Sequence, residues 1–127
     1  MPNAYIWLGL TLLTPYVFTI VAKAGGGFTP RANLDPRGYL ADLSGLRYRA
    51  DCAQKNSFEI MPAFCAAVLV AQHVGQAPQA TIDLLAGGFL LTRLLYGACY
   101  LANWGGLRTL SWFAGAGTLV ALFVLSA

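Results

Sequence analysis

Residues 109–127 read TLSWFAGAGTLVALFVLSA, a run without one charged side chain. A soluble helix keeps one polar face, and this one has none. Its length of about 20 residues is what crossing the hydrocarbon of a bilayer requires. The rest of the chain agrees. Of 127 residues, 57% are hydrophobic and only 10% are charged, with a mean hydropathy of +0.60. A soluble domain carries about 25% charged residues and, at this size, has much surface to cover. Composition therefore excludes a small soluble globule and a disordered chain. The residues read as one all-α integral membrane domain spanning 1–127.

Working back from that run, three more segments fit a helix in lipid. They cover about residues 3–23, 46–74 and 81–102, with the last at 109–127. Pro15 is a kink that such helices tolerate. Asn103, Gly105 and Gly106 separate the last two helices, and Gly75, Gln76 and Pro78 separate the middle two. Residues 25–45 read as a loop, and Ser44 is placed to cap the helix after it. Lys23, Arg31, Arg37, Arg47, Arg49 and Lys55 fall between the first and second apolar runs, and Arg108 between the third and fourth. Positive charge marks the cytoplasmic side. Both termini are then expected outside the cytoplasm, with loop 25–45 inside, as for a multi-pass membrane protein.

Two helices carry polar stripes. At 100° per residue, Arg49, Cys52, Asn56 and Glu59 share one sector of the second, and Arg93, Tyr96, Tyr100, Asn103 and Trp104 share one sector of the third. Arg93 lies about 18 Å along its helix, at a depth where a bare charge costs at least about 2.5–3.5 kcal/mol. The expectation is a pair between Glu59 and Arg93, direct or through water, inside a polar cavity open to the cytoplasm. Lys55 and Glu59, spaced i,i+4, could instead pair along their own helix. Cys52, Cys65 and Cys99 are odd in number and show no metal spacing, so they read as small apolar filler. His73 has no companion ligand, and no metal site is expected. Tyr5, Trp7, Trp104 and Trp112 read as interfacial anchors or packing residues, with a place at the cavity mouth also open to Trp104. No nucleic-acid stripe is present.

The run Arg49-Ala-Asp-Cys-Ala-Gln-Lys-Asn-Ser-Phe-Glu-Ile-Met-Pro62, with its Ala-Gln, then Asn56, Glu59 and Pro62, resembles the signature of the MAPEG family (membrane-associated proteins in eicosanoid and glutathione metabolism). Arg93-Leu-Leu-Tyr96-Gly-Ala-Cys-Tyr100 resembles the family's Arg-x-x-Tyr-x-x-x-Tyr pattern. Asp35-Pro36-Arg37 and the link from Asn103-Trp104 to Leu107-Arg108 look like those of prokaryotic members, which implies a place in a bacterial cytoplasmic membrane. The resemblance covers about residues 33–127. It implies a left-handed bundle of four transmembrane helices assembled as a homotrimer, with glutathione held between subunits near the cytoplasmic face. Arg49, Asn56, Glu59, Arg93, Tyr96 and Tyr100 are then the expected binding residues. Arg108 is the expected catalytic residue, a guanidinium that lowers the thiol pKa.

The resemblance departs at Cys52, where glutathione-using members carry Arg; Arg49 lies one turn further back. The Tyr100-to-Arg108 spacing is also one residue longer. Two functions stay open. One is a membrane glutathione (or related thiol) transferase or peroxidase acting on lipophilic electrophiles. The other is a non-catalytic, lipid-binding or accessory subunit of a larger membrane complex. A small four-helix exporter would need an acid in the first helix, which has none.

Overall fold

The computed structural model describes residues 1–125. Among them are five α-helices, one 3-10 turn and no strand. The helices are α1 (Asn3–Lys23), α2 (Pro36–Ala41), α3 (Gly45–His73), α4 (Gln79–Leu101) and α5 (Gly105–Val124). Three of them, α1, α4 and α5, are long and apolar enough to cross a membrane. At 29 residues α3 is the longest, but its N-terminal half carries the charges and its uncharged apolar part begins at Ile60.

The expected boundaries of the first three long helices agree to within two residues. Two local readings need correction. Loop 25–45 contains α2, because Asp35 caps its first turn. The Asp35 carboxylate accepts the Gly38 N–H at 3.0 Å, and Pro36 fills the first helical position, where no N–H is needed. The second correction is at the start of α5, which lies four residues ahead of the expected one. Gly105 and Gly106 sit in its first turn rather than in a link. Asn103 alone makes the reversal, with φ at +61°. The Trp104 N–H reaches Cys99 O at 2.8 Å and the Asn103 N–H reaches Tyr100 O at 3.1 Å. These bonds satisfy the last carbonyls of α4, and an asparagine accepts the left-handed conformation better than most residues. Ser44 holds the cap position of α3 as expected, without a side-chain capping bond. The expected end of the last helix, at 126–127, lies outside the described residues.

The core lies between α3, α4 and α5, with the start of α1 against it. Phe64 stacks on Phe89 at a centroid distance of 4.1 Å, surrounded by Val68, Ile82, Leu119 and Leu122. Many large apolar side chains point away from this core instead, among them Ile20, Leu84, Leu91, Leu110, Phe113 and Val120. Outward apolar faces on several helices at once are what lipid as solvent allows.

Close packing depends on small residues. A Cβ built on Gly97 would overlap the ring of Phe18 from α1. Gly97→Val is therefore expected to destabilise the protein by about 2 kcal/mol through overpacking. Gly88, with nothing within 4 Å of its Cβ position, is the matched control. Thermal unfolding in detergent should show a loss in Gly97→Val and none in Gly88→Val.

The charged end is tied together by arginine. Arg47 donates to Ala24 O at 3.1 Å and to the Tyr39 hydroxyl at 3.0 Å, and Lys23 lies over the Phe28 ring. At the opposite end, Asp83 of α4 accepts the Ala4 N–H at 2.7 Å. A carboxylate there satisfies an orphan donor at the positive end of α1.

Candidate functional site

The site is built on α3, α4 and α5. Arg93 is 2% exposed. Its Nη2 donates to Asn56 Oδ1 at 2.8 Å and to Ser57 Oγ at 3.4 Å. The Ser57 hydroxyl proton goes to Ala53 O at 2.8 Å, which leaves the oxygen lone pairs free to accept. The guanidinium lies over the Tyr96 ring, with Cζ 4.3 Å from the centroid. A buried cation is tolerable because hydrogen bonds and a ring face replace part of its hydration.

This partner set corrects the expected Glu59–Arg93 pair. Asn56 and Ser57 hold Arg93, and Glu59 is exposed and makes no ion pair among the described residues. Lys55 does not pair with Glu59 either. Its Nζ lies 2.6 Å from Asp51 Oδ2, also at i,i+4 but one turn earlier. Arg49 faces another duty as well. Its Nε and Nη2 donate to Leu101 O at 3.2 and 3.1 Å, where a cation meets the negative end of α4.

The ladder continues along α4. Tyr96 and Tyr100 meet edge to face at 5.7 Å, and Arg108 of α5 lies over the Tyr100 ring at 4.5 Å. Asn56, Tyr96, Tyr100, Arg108, Thr109, Trp112 and Phe113 line a cavity of about 370 Å3. Four of the expected site residues, Asn56, Tyr96, Tyr100 and Arg108, thus share one space, with Arg93 fixing two of them from behind. Arg49 and Glu59 lie outside that wall. Thr109, Trp112 and Phe113 are additions to the expected set: in the sequence Trp112 carries the signal of an interfacial anchor or packing residue, and nothing marks the other two.

Chemically, the cavity offers one cation, two phenols and a carboxamide beside an apolar wall. The Arg108 guanidinium makes no ion pair or hydrogen bond among the described residues, so its five donors are free for an anion. No group of His, Cys, Asp or Glu among the described residues could hold a metal ion. A larger groove of about 710 Å3 runs along α1 and α4 past Trp7, Gly87 and Leu91. Its one charged side chain, Asp83, is already engaged by Ala4 and Gln79.

The apolar helices, three of them long and apolar enough to cross a membrane, define a multi-pass integral membrane protein, in which an arginine–tyrosine ladder leads to a cavity. The sequence matches the MAPEG family over residues 4–127, nearly the whole chain, and the protein belongs to that family. No curated protein matches it.

Proposed function

We propose that the protein is a membrane-bound glutathione (or related thiol) transferase or peroxidase acting on lipophilic electrophiles. The observation that carries this reading is the Arg108 guanidinium, unpaired among the described residues, facing a cavity shared with Asn56, Tyr96 and Tyr100. The donor set suits a tripeptide thiol. Arg108 stabilises a thiolate over a thiol. The tyrosine hydroxyls and the Asn56 amide supply donors and acceptors for peptide groups. Bound glutathione would supply the nucleophilic sulfur. Trp112 and Phe113 form the wall against which an apolar electrophile, arriving from lipid, would lie. Arg93 orients Asn56 and Tyr96 without itself lining the cavity.

In this reading α3 is the fourth transmembrane helix of a left-handed bundle. The apolar part, residues 60–73, is about 21 Å long, so its polar turn around Asn56 enters the membrane to complete the crossing. The charged end faces the cytoplasm and both termini face away from it. Members of this family are often trimers, and a homotrimer would complete the cavity wall. Mixing glutathione with purified protein should raise the ultraviolet absorbance of thiolate in a saturable way. A rise that Arg108→Ala leaves unchanged would remove Arg108 from its role.

Cys52 favours a second reading. It stands where glutathione-using members carry Arg, and Arg49 is spent on the end of α4. A non-catalytic, lipid-binding or accessory subunit would retain the fold and ladder but show no thiolate signal. It would co-purify with a larger membrane complex.

A further inference from the structure

A second apolar cluster joins Ala22 of α1, Leu40 of α2 and Ala50 of α3, with Val21, Tyr39, Leu43 and Leu101 packed against it. Two helices able to cross a membrane end there, α1 at Lys23 and α4 at Leu101. At 1.5 Å per residue they are about 32 and 35 Å long, and the hydrocarbon is about 30 Å thick. Each therefore leaves the hydrocarbon at this cluster, which puts the cluster at headgroup level. The depth of α3 agrees, since Ala50 lies about 9 Å before Asn56, whose turn completes the crossing. Leu40 thus holds α2 at the membrane surface. The loop ahead of it is tied to the same level. Phe28 meets Tyr39 edge to face at 5.1 Å, Lys23 lies over Phe28, and the Tyr39 hydroxyl accepts from Arg47.

Between these ties, other side chains of the segment turn away from the bundle. Leu34, the last residue of the 3-10 turn Ala32–Leu34, is 86% exposed. Pro30 and Arg31 beside it are exposed too, and Arg31 makes no ion pair among the described residues. Across residues 24–44 two arginines stand against Asp35 and Asp42, so net charge does not draw this loop to a membrane. The contact has to be local. Asp35 is engaged by the Gly38 N–H and Arg37 lines the space between α2 and α3, which leaves Arg31 as the cation beside Leu34. An open leucine is ordinary in water. At headgroup depth, next to a guanidinium and continuous with the outward apolar side chains of α1 such as Ile20, it is an interfacial anchor.

We propose that residues 30–34 dock on the phospholipid leaflet around the bundle, with Leu34 among the first acyl carbons and Arg31 on lipid phosphate. The guanidinium fork suits phosphate oxygens. An anionic headgroup is preferred, because the ammonium of phosphatidylcholine neutralises its own phosphate and that of phosphatidylglycerol stays uncompensated. A second copy of the chain is the competing occupant of this face.

The test places a photoreactive side chain at the anchor. Leu34→p-benzoylphenylalanine is reconstituted in nanodiscs of equal dioleoyl phosphatidylglycerol and dioleoyl phosphatidylcholine, irradiated and weighed as intact protein. Leu84, an exposed apolar residue within α4, is substituted in the same way as the positive control. Adducts of one phospholipid are expected at both positions. At Leu34 the glycerol lipid is expected about fivefold over the choline lipid, the ratio for one cation near an anionic surface. Adding Arg31→Gln should bring that ratio to parity. An adduct with a second chain at Leu34, or none beside full yield at Leu84, overturns the proposal. So does a ratio of one without the second substitution, or a preference that survives Arg31→Gln. Neither Arg31 nor Leu34 lines the Arg108 cavity, so the outcome leaves the thiol reading standing, and failure of that reading leaves this one.

Discussion

Asn56→Leu is expected to destabilise the protein by about 3 kcal/mol, because it strands a charge in the core. Arg93 Nη2 donates to Asn56 Oδ1 at 2.8 Å, and its other side-chain acceptor, Ser57, lies at 3.4 Å. Its Nε has no partner among the described residues. Leucine keeps the volume and removes the acceptor, so the guanidinium stays buried with one long hydrogen bond and the Tyr96 face. Adding Arg93→Met should restore most of the loss, since a buried apolar pair needs no partner. Unfolding by denaturing detergent, run on both single variants and the double, gives the coupling energy directly. Additive effects would show that Asn56 does not hold Arg93.

Arg108→Ala is expected to move the thiolate titration of bound glutathione upward in pH. A neighbouring cation favours the anionic form, so the thiol pKa of glutathione bound beside Arg108 is expected to lie below its free value of about 8.5. Thiolate, and the rate that depends on it, then rises through a midpoint below that value. Without the guanidinium the midpoint returns toward it. At neutral pH the thiolate population falls by about tenfold or more, the consequence of a shift of at least one pH unit. Arg108→Lys should keep part of the effect, because it retains the charge and loses the planar fork. The readout is thiolate absorbance against pH, alongside the rate with a lipophilic electrophile. A midpoint that stays put in Arg108→Ala would place the activating charge elsewhere.

The membrane class was legible because it rests on bulk properties. The charge-free run 109–127 and a low overall charge leave little freedom. The ladder was legible because Arg93, Tyr96 and Tyr100 sit on one helix, where periodicity alone fixes their common face. What failed was the pairing between helices. Asn56 and Glu59 differ by about 60° around α3, within one sector, and only the rotation of α3 against α4 decides which reaches Arg93. The same limit hid Arg49, whose partner is a backbone carbonyl that leaves no sequence trace. The start of α5 was misplaced because two adjacent glycines read as a break. The turn is instead made by Asn103, which frees Gly105 and Gly106 for the first helical turn. Trp112 carries the same signal whether it anchors at an interface or lines a cavity, so its sequence position could not separate the two.

The most direct test of the central reading is isothermal titration of glutathione into the purified protein, beside Arg108→Ala. Saturable heat in the native protein, lost or much weakened in the variant, is the predicted result. No heat in the native protein, or equal heat in both, would contradict a thiol site built on Arg108.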